Sequence, residues 1–286
     1  MRSADERLDA LGLRRPPKGP AILLYDIETA PSLCWVWSQW NTNVVDTEQD
    51  WYLLAFAYRW FGQKPIGFVA INQDPDFTPD TDQDRHVAER LHALIDAADI
   101  VVAHNGDRFD QKKAAARFLR NGLGPVSPYR SIDTLKEARR HFSHYSNALK
   151  ELGRFHELGG KVPHTGFDLW RGCMRGDPKA WRLMERYNRQ DVELLEAVYL
   201  KLRPWIGTPG TAAHPNLGHW DLKAKKDGRP VCPKCGHDRL QSRGYHRTHV
   251  SEYRTWWCNP DTGGCGGYSR TRKRDPQYLE GGVEAC

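Results

Sequence analysis

Short apolar runs bounded by turn residues alternate with segments of helical spacing over most of the chain. The strand-like runs are residues 21–25, 52–60, 66–71 and Ile100–Ala103. A turn-like segment, 62–65, separates the second and third runs and predicts an antiparallel meander. Apolar positions at helical spacing predict a helix over residues 85–98, directly before the fourth run. This order of elements predicts an α/β fold with a β-α-β passage.

Helical spacing continues after the fourth strand. It predicts helices over residues 110–119, 132–142, 146–152 and 178–202. Beyond them, the chain to residue 230 is rich in Pro, Gly and Lys and has no period, which is typical of a linker. The predicted domains are an N-terminal extension over 1–20, an α/β domain over 21–205, a linker over 206–230, a cysteine-bearing module over 231–274 and a C-terminal tail over 275–286.

The composition excludes several classes of protein. Of the 286 residues, 39% are hydrophobic and 27% are charged, and the mean hydropathy is −0.72, so the chain is neither collagenous nor fully disordered. Every apolar run is far shorter than the ~20 residues of a membrane-spanning helix. The charged N-terminal segment lacks the apolar core of a secretory signal, so we expect a cytoplasmic protein.

Charge is distributed unevenly along the chain. Acidic and basic residues balance over 1–202, so the formal net charge of +6 comes from residues 203–286. A basic excess confined to one segment favours a polyanionic partner there. A solvated basic surface without a ligand is the alternative.

Two carboxylates mark the end of the first predicted strand. Asp26 and Glu28 are two residues apart, so an extended backbone places both side chains on one face, about 6–7 Å apart. Two anions at the end of a buried strand repel each other and resist desolvation, and a divalent cation between them removes both penalties. The pair therefore suggests a Mg²⁺ or Mn²⁺ site, with a solvent-facing acidic pair as the alternative.

A third carboxylate follows the strand Ile100–Ala103, in the segment HNGDRFDQ. Asp110 is predicted where the loop after this strand leads into a helix, near the sheet edge at which open α/β sheets bind ligands. Asp107 competes with Asp110 for such a role. Helix capping or turn formation is the structural alternative for both.

A tyrosine and a fourth carboxylate lie on the last predicted helix, in YNRQD. Tyr187 and Asp191 are four residues apart and share one helix face. The rest of that face is apolar: Met184, Leu195, Val198 and Leu202. A carboxylate turned inward is costly unless a partner neutralises it, which favours a cation site. A buried salt bridge to an arginine is the alternative.

Together these motifs resemble those of a known exonuclease superfamily. A strand D-x-E, a later N-x-x-x-F-D and a terminal Y-x-x-x-D are similar to the three motifs of the DEDD exonucleases, in the tyrosine-bearing DEDDy branch. This branch is similar to the proofreading exonuclease domains of family B DNA polymerases. The segments IDTLKEARRHF, SNALKELGRFHELGGKVPHTG, LWRGCMRGDPKAW and LMERYNRQDVELLE resemble bacteriophage and bacterial ribonuclease H-like exonucleases that carry a C-terminal zinc ribbon. The resemblance covers roughly residues 20–205 and the ribbon, and it implies an α/β, ribonuclease H-like mixed sheet flanked by helices.

The resemblance implies a chemistry for the carboxylates. Asp26, Glu28, Asp110 and Asp191 would bind two Mg²⁺ or Mn²⁺ ions ~3.5–4 Å apart for phosphodiester hydrolysis, and Tyr187 would position the attacking water. Asp26 is expected to bridge the ions. In the family, hydrolysis releases 5′-mononucleotides from a 3′ end. The implied partner is nucleic acid, DNA rather than RNA, with replication or recombination proteins as further candidates in a bacterial or phage-infected cell.

Further residues are weaker candidates. Asn105 could contact the terminal nucleotide, with a turn role as the alternative. Asp133 is predicted to cap the helix that follows it. Lys161 and His164 could contact phosphate. A cluster of tryptophans lies near the first strand: Trp35, Trp37, Trp40 and Trp51. They could stack on bases, although core packing and loop anchoring are the favoured interpretation.

A cysteine motif lies in the last part of the chain. Its members form two close pairs: Cys232, Cys235, Cys258 and Cys265. Such pairs suggest one tetrahedral structural Zn²⁺, with iron in a rubredoxin-like site as the rival. A module with so few apolar residues depends on its metal to fold. The isolated Cys34, Cys173 and Cys286 are predicted to be ordinary packed or exposed thiols.

The cysteine module resembles the zinc ribbons of the same exonuclease group and of some transposases. It departs from them because six residues separate Cys258 from Cys265 where related ribbons use two, which leaves open whether a histidine replaces Cys265. The candidate histidines are His237, His246 and His249. Interleaved basic and aromatic residues suit phosphate pairing and base stacking. The substrate-binding candidates are Arg243, Arg247, Arg254 and Trp257. Protein docking is the alternative role for this ribbon.

Three functions fit these observations. The first is a metal-dependent 3′–5′ exonuclease on DNA. The second is an RNA-directed exonuclease or a structure-selective endonuclease, which the same carboxylates would serve. The third is a nucleic-acid-binding accessory subunit whose carboxylates are vestigial. The presence of all the acids and the tyrosine of the motifs favours an enzyme.

Overall fold

The computed structural model describes most of the chain. The described residues are 4–17, 20–40, 42–160, 163, 165–206, 230–247 and 252–270, without the side chains of residues 246, 247 and 252. Most of the predicted linker and tail lies outside this set, as do Lys161, His164, His249 and Cys286. The chain forms two compact units, residues 1–199 and 200–286.

The elements follow one another in chain order. The strands are β1 (Ile22–Thr29), β2 (Leu33–Trp35), β3 (Asp46–Gln49), β4 (Leu53–Trp60), β5 (Gly67–Ala70), β6 (Ile100–Ala103), β7 (Arg130–Asp133), β8 (Leu240–Arg247), β9 (Glu252–Cys258) and β10 (Tyr268–Arg270). The helices are α1 (Ala4–Ala10), α2 (Arg85–Asp96), α3 (Asp110–Arg120), α4 (Thr134–His141), α5 (Leu149–Phe155), α6 (Phe167–Met174) and α7 (Pro178–Leu202).

A five-stranded mixed sheet forms the centre of the first unit, in the order β5-β4-β1-β6-β7. β1 pairs antiparallel with β4, and β4 pairs antiparallel with β5. β6 runs parallel to β1, and β7 runs parallel to β6. Most residues of β1, β4 and β6 are buried, as expected of strands covered on both faces. The predicted mixed sheet flanked by helices is confirmed.

Helix α7 packs one face into the protein. The predicted stripe is buried along its whole length: Met184, Tyr187, Asp191, Leu195, Val198 and Leu202. Arg59 of β4 forms a largely buried ion pair with Glu196, which holds α7 against the sheet. Although α7 has 25 residues, neither it nor any other helix in the described part of the chain is apolar enough to cross a membrane.

The predicted helix over residues 132–142 is wrong at its start, where the structure has strand β7 followed by helix α4. Ile132 and Leu135 have helical spacing, but Ile132 pairs with Val102 in the sheet. The carboxylate of Asp133 accepts hydrogen bonds from the N–H groups of Leu135 at 3.0 Å and Lys136 at 3.3 Å. The predicted capping role of Asp133 is therefore confirmed.

Sequence patterns do not predict three short parts of the first unit. Helix α1 lies within the predicted N-terminal extension, and its Leu8 is buried in the same core as Leu23 of β1. Strands β2 and β3 pair with each other but are largely exposed, so they lack the alternation that indicates a strand. Helix α6 has only eight residues, which is too short to give a clear helical period.

The second unit contains a three-stranded antiparallel sheet in the order β10-β9-β8. The first cysteine pair precedes β8; in the second pair, Cys258 is the last residue of β9 and Cys265 lies between β9 and β10. In this unit Arg203 donates from Nε to the carbonyl of Lys234 at 2.8 Å, and the Lys234 ammonium group donates to the carbonyl of Pro204. These bonds fix the turn between Cys232 and Cys235 to residues 203–204.

Candidate active site and cysteine site

Strand β1 presents its two carboxylates on one face, as their spacing predicts. Asp26 lies opposite Ala57 of β4, and Glu28 lies opposite Ala55. Directly paired residues of an antiparallel ladder point to the same face. The cross-strand neighbours of both carboxylates are therefore only methyl groups, which leave space for another element beside them.

Helix α7 adds a third carboxylate to this pair. One oxygen from each of Asp26, Glu28 and Asp191 lies within 4.8 Å of the other two. Asp191 is buried, and Asp26 and Glu28 are half-buried. Three carboxylate oxygens at these distances fit a divalent cation of the Mg²⁺ or Mn²⁺ class, because such hard cations take oxygen ligands and offset the mutual repulsion of the acids.

Asp110, at the start of α3, lies beside this cluster. Its Oδ1 accepts a hydrogen bond at 3.2 Å from the N–H of Ile27, the residue between Asp26 and Glu28. The pairing of β1 with β6 stops at Leu24, so the Asp110 side chain takes the place of a strand partner further along β1. Burial raises the pKa of Asp110 to about 7. Among the described residues, Asp110 lies next to the three grouped carboxylates and not within their 4.8 Å group.

The hydroxyl of Tyr187 hydrogen-bonds the carboxylate of Asp191, one turn further along α7. Burial, with the charges of Asp191 and Glu28, raises the pKa of Tyr187 well above its usual range. The phenol therefore stays protonated at neutral pH and keeps its proton to donate. The ring of Trp170 meets the Tyr187 ring edge to face, with centroids 6.1 Å apart.

Asn188 is a site residue that the sequence motifs do not reveal. Its Nδ2 donates to the Asp26 Oδ2 at 2.8 Å and to the Asp26 carbonyl at 3.3 Å. Two oxygen acceptors fix the orientation of the amide, since a flipped Oδ1 would repel both. Asn188 is fully buried, so it holds the carboxylate of Asp26 in one orientation. Its position between Tyr187 and Asp191 on an inward-facing helix is the only sequence signal for this role.

Asp107 and Asp110, the two competing carboxylates of the loop after β6, have different contacts. Asp107 forms an ion pair with Lys136 at 2.6 Å and accepts hydrogen bonds from Gln111 and Ser131. It therefore ties this loop to β7 and α4, whereas Asp110 contacts β1.

Asn105 has a left-handed backbone conformation, with φ of 64°, and its N–H donates to Asp133 at 2.9 Å. A left-handed residue is typical of a tight turn, so this geometry supports the structural alternative for Asn105. Its carbonyl accepts hydrogen bonds from Arg108 and Phe109, which close the turn into α3.

The clustered tryptophans do not share one environment. Trp35, Trp37 and Trp40 are 62%, 85% and 94% exposed, so core packing is the wrong interpretation for these three. Trp51 is half-buried, and the ammonium group of Lys113 lies 3.7 Å from its ring centroid. Trp51 also lines an open groove of about 570 Å³ beyond the end of β1. The other lining residues are Thr29, Ala30, Pro31, Ser32, Lys113, Gly166, Phe167 and Trp170.

The paired cysteines form one cluster of sulfur atoms. All four Sγ atoms lie within 4.8 Å of one another, with Cys232 and Cys265 3.8 Å apart and Cys235 and Cys258 3.6 Å apart. Tetrahedral Zn²⁺ with Zn–S bonds of about 2.3 Å requires S–S separations of about 3.8 Å. A disulfide would need about 2.05 Å. The sulfur positions therefore fit a tetrahedral metal and not a pair of disulfides.

The second knuckle, the loop from Cys258 to Cys265, is longer than usual but keeps Cys265 in the cluster. Gly264 permits this path, since a Cβ there would lie 2.6 Å from the Cys258 Sγ. His237 shares a hydrogen bond of 3.1 Å with the hydroxyl of Thr262 and does not belong to the sulfur cluster. The side chain of His246, like His249 as a whole, lies outside the described residues.

Basic and aromatic side chains pair on the three-stranded sheet. The Arg243 guanidinium lies 4.5 Å from the Trp257 ring centroid, and Trp257 stacks on Tyr268. Arg254 donates to the Tyr245 hydroxyl at 3.1 Å. The side chain of Arg247 is not among those described, although its backbone lies in β8. Arg243 and Trp257 thus lie together on this small sheet, whereas Arg254 lies with Tyr245 and Trp256, one residue out of step with Trp257 along β9.

A mixed sheet with carboxylates at the end of its central strand is the arrangement of an RNase H-like protein. A model of the RNase H superfamily matches residues 49–203, more than half of the chain. The chain therefore belongs to the RNase H superfamily, as its motifs predict, and this membership supports a nuclease with a nucleic-acid substrate. The match includes Asp110, Tyr187 and Asp191 and begins after β1.

The family B DNA polymerase of the hyperthermophilic archaeon Pyrobaculum calidifontis is a similar solved structure, with 16% sequence identity and a TM-score of 0.47. The match covers 66% of this chain and 25% of the polymerase chain, so this protein spans about a quarter of the polymerase's length. No curated protein matches the chain.

Proposed function

We propose that this protein is a metal-dependent 3′–5′ exonuclease of the DEDDy type that hydrolyses DNA to 5′-mononucleotides. The observation that carries the proposal is the convergence of Asp26, Glu28 and Asp191 within 4.8 Å of one another. Two neighbours match the rest of the motif set, since Tyr187 hydrogen-bonds Asp191 and Asp110 bonds the backbone of β1.

Each residue of the site has a distinct task in this proposal. Asp26, Glu28 and Asp191 hold two Mg²⁺ or Mn²⁺ ions, and Asp110 completes the ligand set from the start of α3. Bound there, the cations supply the Lewis acidity that phosphodiester hydrolysis requires. The Tyr187 hydroxyl would orient the attacking water, because it lies one turn from Asp191 and hydrogen-bonds that carboxylate.

The ribbon is proposed to hold one structural Zn²⁺ and to bind the substrate outside the acid site. Its sulfur geometry and its Arg243, Arg254 and Trp257 support this division of tasks. Arginine pairs with phosphate, and exposed aromatic rings stack on bases. Protein docking, for instance to replication or recombination proteins, is the alternative role for this surface.

The test is the product ladder from end-labelled oligonucleotides. Purified protein is incubated with 5′-labelled and 3′-labelled DNA and RNA in Mg²⁺, Mn²⁺ or EDTA. We expect stepwise shortening from the 3′ end of DNA in either metal and none in EDTA. Tyr187→Phe is expected to lose less activity than a carboxylate variant, because the metal ligands remain. Undiminished hydrolysis in EDTA would reject the proposal.

Two other functions have their own signatures in the same assay. An RNA-directed exonuclease would shorten only RNA, and a structure-selective endonuclease would cut circular substrates that have no ends. A nucleic-acid-binding accessory subunit would shift labelled oligonucleotides in a gel and never shorten them.

A further inference from the structure

A cavity of about 560 Å³ lies in the first unit, at the edge of the sheet that β5 forms. Its basic side chains come from three parts of the chain: Arg14, His86, Arg90 and Arg189. None of the described residues that line it is Asp or Glu. We call it the arginine cavity. Because acidic and basic residues balance over 1–202, the composition of this unit does not account for a lining of one charge sign.

The wall of the cavity on the sheet depends on a glycine. Gly67 of β5 lies opposite Tyr58 of β4, and a Cβ at position 67 would overlap the Tyr58 ring, so glycine lets that ring lie against β5. The N–H of Arg14 donates to the Tyr58 hydroxyl at 3.4 Å. Burial raises the pKa of Tyr58, while the N–H and the charge of Arg14 and then the charge of Arg189 oppose this rise. Both arginines therefore lie near the hydroxyl.

Helices α2 and α7 supply the other basic side chains. His86 and Arg90 are four residues apart on α2 and share one face of it. Arg189 of α7 donates to the carbonyl of Ile66, directly before β5. Although α7 also carries Asp191, no residue of the acid site lines this cavity. The arginine cavity is therefore separate from the carboxylate group.

Two of the basic side chains have a carboxylate beside them. Arg189 forms an ion pair with Glu185 at 2.7 Å. The Nδ1 atom of His86 lies 3.9 Å from a carboxylate oxygen of Asp74. These two acids leave the charges of the other two arginines uncompensated.

Arg14 and Arg90 form no ion pair within the described part of the chain. Arg90 is half-buried and donates to the carbonyl of His86 at 3.1 Å. Burial lowers the pKa of Arg90, so its guanidinium has lost part of its hydration without gaining a salt bridge. An anion in the cavity would offset this loss.

Charge and size indicate the kind of anion. One arginine satisfies the single charge of a carboxylate, as Arg189 does for Glu185. A phosphate monoester carries about −1.5 to −2 charges at neutral pH and three acceptor oxygens, so it suits several guanidinium groups together. A phosphodiester has one charge per phosphate and meets this requirement less well. The volume lies within the range of about 300–1,000 Å³ for small-molecule sites, and apolar lining at Leu13 and Phe68 suits the rest of an organic ligand.

We propose that the arginine cavity binds the phosphate group of a small phosphate monoester of nucleotide size, with Arg14 and Arg90 as its main contacts. This proposal does not depend on the exonuclease proposal, because it uses none of the acid-site residues and binding is measured without hydrolysis.

The test is isothermal titration of the full-length protein with deoxyadenosine 5′-monophosphate in EDTA, which prevents binding through a metal ion at the carboxylates. Deoxyadenosine, which lacks the phosphate, is titrated in parallel. The variants are Arg90→Ala, Arg90→Lys and Arg14→Ala. Arg85→Ala is the matched control, because it removes the same charge from α2 at a side chain that does not line the cavity. Thermal melting checks that all proteins are folded.

We expect the wild type to bind the nucleotide with a dissociation constant below about 1 mM and to bind deoxyadenosine much more weakly. Arg90→Ala should weaken nucleotide binding about 10-fold or more, since a charged hydrogen-bonded contact is lost. Arg90→Lys should lose less, because it keeps the charge and loses the planar fork. Arg14→Ala should also weaken binding, and Arg85→Ala should bind as the wild type does. If Arg90→Ala fails to fold, the exposed Arg14 still tests the site.

Other results would overturn the proposal. Absence of nucleotide binding at about 1 mM, or equal binding of nucleotide and deoxyadenosine, would exclude a phosphate site. Unchanged affinity in both Arg14→Ala and Arg90→Ala, or an equal loss in Arg85→Ala, would exclude the cavity as its location. If oligo-dT without a terminal phosphate displaces the nucleotide and itself binds more weakly to Arg90→Ala, the cavity binds a nucleic-acid backbone and not a small phosphate monoester.

Discussion

The acid site and the cysteine site are both clusters of side chains of the kinds that ligate metals, but they are held in different ways. The carboxylates stand on β1 and α7, which are fixed by a buried core and by the pair of Arg59 with Glu196. The cysteines stand on two knuckles beside a small sheet on which most described side chains are at least partly exposed. The core therefore builds the acid site without a cation, whereas the cysteine site, if it holds the proposed Zn²⁺, is expected to depend on that metal for its own structure.

The largest effect expected from this difference is the loss of activity in Asp191→Asn. Removing one carboxylate from a site that the core already holds should lower hydrolysis by about 1000-fold or more, since several kcal/mol of transition-state stabilisation are lost. The melting temperature should change little. Initial rates of oligonucleotide shortening in Mn²⁺ and a thermal melt measure both quantities.

Asp107→Asn is the matched control for this variant, because Asp107 belongs to the same unit and pairs with Lys136 outside the carboxylate group. We expect it to retain most of the activity. Equal losses in the two variants would show that the three-carboxylate group is not the reaction centre.

Cys258→Ser should disturb the structure of the ribbon and leave hydrolysis at the acid site largely intact, the reverse of Asp191→Asn. The zinc content is expected to fall from about one ion per chain to near zero, because a tetrahedral structural site tolerates the loss of a thiolate poorly. The ribbon should become sensitive to protease, while hydrolysis of a short chromogenic phosphodiester continues. Metal analysis, limited proteolysis and this assay test the prediction.

Cys34→Ser serves as the control, since Cys34 lies in β2 of the first unit and is not a member of the sulfur cluster. It should leave the zinc content unchanged. A Cys258→Ser protein that keeps its full zinc content would contradict the assignment of the cluster.

A smaller effect is expected at Asn188, which supports the acid site without being a ligand. Asn188→Ala removes the amide that orients the Asp26 carboxylate and should weaken Mn²⁺ binding about 10- to 100-fold, the range typical of residues that orient metal ligands. Isothermal titration with Mn²⁺ gives the affinity directly.

The chain offers a close control for Asn188. Asn121 donates from Nδ2 to the Asp84 carboxylate at 2.8 Å, the same kind of bond outside the carboxylate group. Asn121→Ala should lower stability to a comparable degree and leave Mn²⁺ affinity unchanged. If both variants weaken Mn²⁺ binding equally, Asn188 acts only through overall stability.

The smallest expected effect is a pH dependence of stability that originates at Asp110. Its folded-state pKa of about 7 lies above the usual value of 3.8, so the folded protein holds this proton more tightly than the unfolded chain does. The stabilisation of the folded protein that comes from this tighter proton binding is complete below the pKa of Asp110 in the unfolded chain. It is lost as pH rises towards 7. Asp110→Asn removes this dependence and should raise the melting temperature of the metal-free protein by a few degrees at about pH 8.

The direction of this pH dependence is tested by the melting temperatures of wild type and Asp110→Asn between about pH 5 and 8, without Mg²⁺ or Mn²⁺. The two curves should diverge as pH rises. Parallel curves would mean that burial does not disfavour the charged form of Asp110.

Local patterns predict much of the fold where an element is long or strongly apolar. The helix over 178–202 and the strand Ile100–Ala103 have the predicted bounds. Prediction is wrong at β7, where Ile132 fits a helical period but pairs with Val102. Spacing within one segment cannot show that another strand lies alongside, so register with a neighbour overrides the local period.

The sequence alone determined the ligand types and the motif spacing. The two-residue spacing of Asp26 and Glu28 and the four-residue spacing of Tyr187 and Asp191 specify faces of β1 and α7 by backbone geometry alone. The close pairs of cysteines likewise predict a metal site, because ligands near in sequence need little tertiary structure to meet.

Only the tertiary structure decided which long-range neighbours meet. It placed Asp110 against β1 and Asp107 against Lys136, brought Asn188 to Asp26, and left Trp37 and Trp40 in solvent where core packing was expected. These outcomes depend on how separate elements pack, and a residue's own sequence neighbourhood carries no information about the distant side chain or the water that it will face.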